Sequence, residues 1–312
     1  MAEVSVVTIA RGRAEHVANV VRGLALQTDL PRELVIGAMQ PELFPDLPPA
    51  PFPIRQLRIA GDELPLAAAR NAVARAATGE VLIFLDADCI PAPSLCSDYT
   101  AAIAVFDGLL MGEVMYLPGG AAAPDWSFDR FEAVAVRHSD RRAPPSEGIE
   151  RCGDYRCFWS LNFAMRRATF LASGGFDERF VGYGGEDTDF SKSLGRAGVE
   201  IAWMRGARAY HQYHPHHMPP IHHIESVVRN AELFARKWGY RTMDHWLRAF
   251  RMMGLIADEP DGIRIVRRPD ADDLALTGQQ SHQPYANTAT IIRLLEARSV
   301  ARQADAALLV AT

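Results

Sequence analysis

Cysteine is scarce in this chain of 312 residues: Cys89, Cys96, Cys152 and Cys157 are the whole supply. They are too few and too spread for a disulfide scaffold, and the Cys152/Cys157 spacing is not that of a zinc site. Free thiols are expected. An excess of positive charge is missing too. The formal net charge is −5, which gives no support to a general affinity for nucleic acid or anionic membranes. No apolar run approaches the roughly 20 residues of a transmembrane segment. Met1-Ala2-Glu3-Val4 runs straight into a strand pattern, without the basic head and apolar stretch of a signal peptide. A cytoplasmic location is expected. No glycine-rich phosphate loop follows the first strand, which disfavours dinucleotide-binding and P-loop readings.

What is present is ample material for a core, 48% hydrophobic and 23% charged. The chain is organised around Gly79-Glu80-Val81-Leu82-Ile83-Phe84-Leu85-Asp86-Ala87-Asp88. Five apolar residues in a row read as a strand buried on both faces, as in the middle of a mostly parallel sheet. Two carboxylates then appear where the strand ends, and ligands of open α/β sheets sit outside those ends. Such a pair can hold a hard divalent cation or simply form a turn.

Upstream, Val4–Ile9 reads as a strand, Glu15–Gln27 as an amphipathic helix and Leu34–Gly37 as a second strand. A connection with Pro41, Pro45, Pro48, Pro49, Pro51 and Pro53 follows, then a strand at Ile54–Ile59 and a helix at Leu64–Ala77. The alternation predicts an α/β fold with a single, mostly parallel central sheet flanked by helices. Downstream, helices are expected at Ser94–Phe106, Phe128–His138 and Arg167–Ser173, and strands at Leu109–Tyr116, Phe158–Met165 and Val199–Met204. Ser139–Gly153, polar and charged, reads as a surface excursion.

Chemistry concentrates again in Gly174-Gly175-Phe176-Asp177 and Tyr183-Gly184-Gly185-Glu186-Asp187-Thr188-Asp189. Glycines allow close backbone approach, aromatics offer faces for sugars, and the acids open a helix expected at Asp187–Ala197. Capping alone accounts for Asp189. Six of the ten histidines then fall between His211 and His223. His216, His217, His222 and His223 read as solvated and idle, while an earlier one is placed to share a cation with Asp88.

Ala69-Arg70-Asn71, Leu85-Asp86-Ala87-Asp88, Gly174-Gly175-Phe176-Asp177 and Gly184-Gly185-Glu186-Asp187, in this order, resemble the family-two glycosyltransferases of the A-type fold. The second half is similar to the galactosyltransferase and N-acetylgalactosaminyltransferase branch. The resemblance covers roughly residues 3–240. It implies a domain over 1–240, with a nucleotide-sugar half (1–117) and an acceptor half (118–240); residues 241–312 lie outside the resemblance and read as a C-terminal helical extension that could cap the acceptor site, form a homodimer or dock a partner.

The resemblance also implies site residues. Thr8, Ala10, Arg11, Arg70, Asp86, Ala87 and Asp88 would line the donor, a nucleoside-diphosphate sugar. Mn2+ or Mg2+ would sit on Asp88 with His211, or His214 in its place. Asp187 would be the general base and Glu186 would grip the acceptor hydroxyl. Tyr183, Gly184, Gly185 and Trp159 would complete the acceptor side, for a carbohydrate, glycolipid or small molecule. The chain departs from the pattern after its second strand, where Gly37-Ala38-Met39-Gln40 lacks the usual acid that reads the base. It departs again after the first, where Ala10-Arg11-Gly12 replaces a proline-aromatic-asparagine. Two alternatives stay open. One is a nucleotidyltransferase of sugar phosphates, for which Arg11-Gly12-Arg13 is a faint basic loop. The other is a non-catalytic carbohydrate-binding protein on the same fold.

Overall fold

The computed structural model describes residues 2–61, 63–279 and 287–310. It opens with β1 (Val4–Ala10), α1 (Ala14–Ala25), β2 (Glu33–Ala38), β3 (Ile54–Arg58), α2 (Leu66–Ala76) and β4 (Val81–Leu85). Runs of β-branched and aromatic residues give strands with no polar face, and every residue of β1, β2 and β4 is buried. α1 turns Val17, Val20, Val21 and Leu24 inward at helical spacing.

The chain continues through β5 (Cys89–Pro91), α3 (Leu95–Val105), β6 (Leu109–Met111), β7 (Val114–Tyr116), α4 (Phe128–Val134), β8 (Val136–Arg137) and β9 (Ile149–Arg151). Then come β10 (Asn162–Arg166), α5 (Arg167–Ala172), α6 (Glu186–Arg196), β11 (Ile201–Met204) and β12 (Ala209–His211). The central sheet has the order β3-β2-β1-β4-β10-β6-β11-β9. Its first four strands are parallel, β10 runs antiparallel to both β4 and β6, and β11 is parallel to β6 but antiparallel to β9. β4 and β6 therefore end at the same edge. A smaller sheet, β5-β12-β7-β8, stands beyond that edge.

Several expectations change in detail. The single strand expected over Leu109–Tyr116 is two strands in two sheets. Gly112 breaks it, because a Cβ there would collide with the Ala207 carbonyl and the Tyr99 hydroxyl. Asn162 Nδ2 fixes the junction by donating to the carbonyls of Glu113 (3.1 Å) and Ala207 (2.6 Å). The helix expected to reach His138 stops at Val134, since Ala135 is extended and Val136–Arg137 pair with β7. The excursion after Ser139 contains β9, an edge strand on β11, and a buried Arg141. Phe158 precedes rather than joins β10. Its ring meets Phe163 edge-on at 4.9 Å in a cluster with Phe84, Phe176 and Phe190.

By packing, the chain divides into two compact units, Met1–Tyr213 and His214–Thr312. The second holds α7 (Ile224–Trp238), α8 (Asp244–Met252), the hairpin β13 (Ile256–Glu259) and β14 (Gly262–Ile265), α9 (Ala271–Thr277) and α10 (Thr288–Val310). Within the second unit α7 is tied to the C-terminal elements by Glu232, which accepts from Arg241 Nε (2.9 Å) and from the Ile263 amide (3.2 Å). No described helix is long and apolar enough to cross a membrane.

Candidate active site

Asp86-Ala87-Asp88 leave the end of β4 in a turn fixed by backbone bonds. The Asp86 amide donates to the Leu161 carbonyl (2.9 Å), and the Gln212 amide donates to the Asp88 carbonyl (2.7 Å). The second bond brings the end of β12 alongside. His211 closes β12 in register with Cys89 on one side and Tyr116 on the other. Its ring stacks on Tyr116 with centroids 4.7 Å apart. Asp88 Oδ1 lies 3.4 Å from His211 Nε2, both residues buried, while Asp88 Oδ2 pairs with Arg13. A buried carboxylate facing a buried imidazole at this range is a donor pair that fits a divalent cation. His214 is the first residue of the second unit.

The glycine-acid motif arrives from the other side. Gly184 and Gly185 have φ of 97° and 89°, a region glycine enters without cost, and they aim the chain into the first turn of α6. Glu186 and Asp187 sit in that turn, where the helix dipole favours acids. Arg70 on α2 ties the two motifs together. One terminal nitrogen donates to Glu186 Oε1 (3.2 Å), the other to Asp86 Oδ1 (3.4 Å), and the guanidinium lies over the Phe176 ring. Asn71 does the same for the backbone. Its amide donates to the Phe176 carbonyl (2.8 Å), and its Oδ1 accepts from the Phe176 amide (2.9 Å).

Burial with like charges nearby shifts these acids. Asp187 is pushed up to about 7, first by burial and then by the Glu186 carboxylate, against the pull of Arg70. Asp86 is raised to about 6 by burial, with Arg70 opposing and Asp88 adding. The Tyr183 phenol is raised by burial and then by the charges of Glu186, Asp187, Asp86 and Asp88. Glu186 Oε2 and Thr8 Oγ1 are buried without a hydrogen-bond partner.

The other residues singled out by sequence distribute unevenly. Thr8, Ala10 and Ala87 are buried at the strand ends. Arg11 is committed to loop carbonyls, Met39 (2.6 Å) and Gly61 (2.8 Å). Trp159 is half-buried and meets His138 edge-on at 5.2 Å. Phe176 and Phe180 are core residues with 2% and 1% exposure. Asp177 is taken by a two-pronged pair with Arg179. Tyr116 was not singled out by sequence, and Arg13 only as part of the faint basic loop of the nucleotidyltransferase alternative. Arg13 is signalled only by its place just past β1, and Tyr116 by nothing short of the β7–β12 pairing.

A family described as glycosyl transferase family 2 matches residues 49–115, and one described as the N-terminal domain of galactosyltransferase matches residues 147–217. Validoxylamine A glucosyltransferase of Streptomyces hygroscopicus subsp. jinggangensis (strain 5008) is 27% identical over 198 residues, covering 55% of this chain and 44% of that protein. N-acetylgalactosaminyltransferase 7 of Drosophila melanogaster is 26% identical over 158 residues, covering 46% and 26%. The chain thus spans less than half the length of these relatives. A crystal structure of GalNAc-T7 with UDP, GalNAc and Mn2+ superposes with a TM-score of 0.53 at 17% identity, over 81% of this chain and 51% of that one. That superposition establishes the shared A-type fold. The chain thus carries a segment of the glycosyl transferase family 2 kind followed by one of the galactosyltransferase kind, and its homologues are glycosyltransferases.

Proposed function

We propose that the protein is a metal-dependent, inverting glycosyltransferase that moves a hexose or N-acetylhexosamine from a UDP-sugar to an acceptor hydroxyl. The observation that carries the reading is Arg70, which holds the strand-end acid Asp86 and the helix-start acid Glu186 on one guanidinium. Donor chemistry and acceptor chemistry thereby share one pocket edge. The solved relative that binds UDP, GalNAc and Mn2+ supports the donor class.

In this reading Asp88 and His211 would hold the cation, with His214 the substitute for His211. The chemistry a divalent cation supplies there is Lewis-acid stabilisation of the departing diphosphate. Thr8, Ala10, Arg11, Ala87 and Asp86 line the nucleotide, and the unpartnered Thr8 hydroxyl has hydrogen bonds to give it. Glu186 Oε2, unpartnered and buried, accepts from an acceptor hydroxyl. Tyr183 and Trp159 flank the sugar, and Gly184 and Gly185 let it approach the backbone.

Asp187 takes the proton of the attacking hydroxyl. The new bond forms between that oxygen and the anomeric carbon as the bond to the diphosphate breaks from the opposite face. A carboxylate raised to about 7 suits a base working near neutrality. The acceptor is a carbohydrate, a glycolipid or a small molecule. The test is Asp187→Asn, which should abolish transfer while UDP binding with Mn2+ persists; equal loss of both would remove Asp187 from this role.

A further inference from the structure

Of the basic loop Arg11-Gly12-Arg13, the proposed reaction uses only Arg11. Arg13 reaches the strand-end acids instead, and its guanidinium pairs with Asp88 Oδ2. Nothing local explains an arginine at this position. Gly12 and Arg13 take φ of 62° and 57° in succession, and the Gly12 amide donates to Gln40 Oε1 (2.6 Å). Glycine enters that left-handed region freely, whereas a residue with a side chain seldom does, and those that do gather at functional sites. Arg13 is also the N-cap residue of α1. An arginine has no acceptor with which to cap a helix, and its charge sits at the positive end of the helix dipole.

The pair is lopsided. The Arg13 side chain is 40% exposed, that of Asp88 only 6%. The guanidinium can turn out into water with little penalty. The carboxylate cannot follow, because the Asp88 carbonyl accepts from the Gln212 amide (2.7 Å) and Oδ1 faces His211 Nε2 at 3.4 Å. Asp88 therefore presents one oxygen to the imidazole and has the other taken by a positive charge. Asp86 feels the same charge: burial raises its carboxyl, Arg70 draws it back down, and Arg13 adds to that pull. A divalent cation approaching Asp88 and His211 meets a cation already on the carboxylate, and like charges repel strongly where little water screens them.

We propose that Arg13 is a built-in competitor for the divalent cation, one that neutralises Asp88 in the metal-free protein and must swing into solvent before the ion can seat on Asp88 and His211. The inference rests on the metal site of the proposed function and adds a residue that sets how tightly the ion is held. Arg13 is a positioning residue in this sense, since it acts through Asp88 and not on the reacting atoms. Its charge keeps the neighbouring carboxylates of Asp86 and Asp88 together in one turn, and the exchange of guanidinium for metal lowers the affinity for the bare ion.

Metal binding tests this without turnover. Mn2+ is titrated into the full chain at pH 7.5 in the absence of nucleotide, and the free ion is counted by electron paramagnetic resonance. Arg13→Gln should bind Mn2+ about tenfold or more tightly than wild type, because a charge-assisted hydrogen bond no longer has to be broken first. Arg13→Lys, which keeps the charge, should stay much closer to wild type. A purely structural Arg13 would give the opposite sign, since its loss would loosen the site and weaken binding. Melting curves followed by circular dichroism report whether each variant is folded; should Arg13→Gln not fold, Arg13→Met carries the same expectation. Equal or weaker Mn2+ binding by the folded variant, with Asp88→Ala losing the ion, overturns the proposal and leaves the metal site standing. Absence of saturable Mn2+ binding in wild type and variant alike, or binding that survives Asp88→Ala, overturns the metal site and the proposal with it.

Discussion

At the scale of single residues, Arg70 ties the two acid motifs of the site together. Arg70 is nearly inaccessible and pairs with both Asp86 and Glu186. Arg70→Leu strands two carboxylates, a change that typically costs about 3–5 kcal/mol when a buried partner is lost. Urea unfolding at pH 8 should show it, with a smaller loss at pH 5, where Asp86 is protonated. Asp187 carries a linked signature. Its carboxyl is raised from an ordinary 3.8 to about 7, so its contribution to stability is intact below 3.8 and is lost as pH rises through 7. Asp187→Asn should therefore melt higher than the wild type at pH 8 and no higher at pH 3. The same shift makes wild-type transfer climb with pH through about 7. A rate that is flat from pH 5 to 8 would contradict the base assignment. Much of this was legible in sequence, because strand-end acids and a glycine-acid helix start have recognisable spacing. Arg141, which packs over the rings of Trp159 and Trp203, was not. Arginine in a polar stretch reads as solvated, and only three-dimensional packing reveals one buried against indoles.

At the scale of elements, glycines decide where strands and helices meet. Gly175 has φ of 71°, and a side chain there would run into Asn71 Oδ1, the atom that receives the Phe176 amide. Gly175→Ala should cost roughly 1–3 kcal/mol, as overpacking does. It should also disturb the site by loosening α2 from the glycine-acid motif, and chemical denaturation with parallel UDP titration checks both effects. The parallel strands β1, β2 and β4 were readable because unbroken apolar runs have few other uses. The split of Leu109–Tyr116 into β6 and β7 was not, since a lone glycine within an apolar run signals either a flaw or a corner. The short β8 and β9 were hidden for a related reason. Strands of two or three residues carry too few side chains for a period to show, and their existence depends on the partners β7 and β11.

At the scale of the molecule, the first unit carries both acid motifs and nearly all of both family segments. The fold class was legible from the alternation of helix and strand. The grouping of α7 with the C-terminal elements was not, because it depends on Glu232 reaching across to β14. A ligand that binds only the folded chain stabilises it by mass action, by about 2.7 kcal/mol at a hundred times its Kd. UDP with Mn2+ should therefore raise the melting temperature, and UDP with a chelator should not.

The most direct measurement is calorimetric titration of UDP into wild type, Asp88→Ala and Asp187→Asn, each with and without Mn2+. Wild type and Asp187→Asn should bind UDP in a manganese-dependent way, and Asp88→Ala should lose that dependence. Binding by Asp88→Ala as tight and as manganese-dependent as wild type would contradict the account.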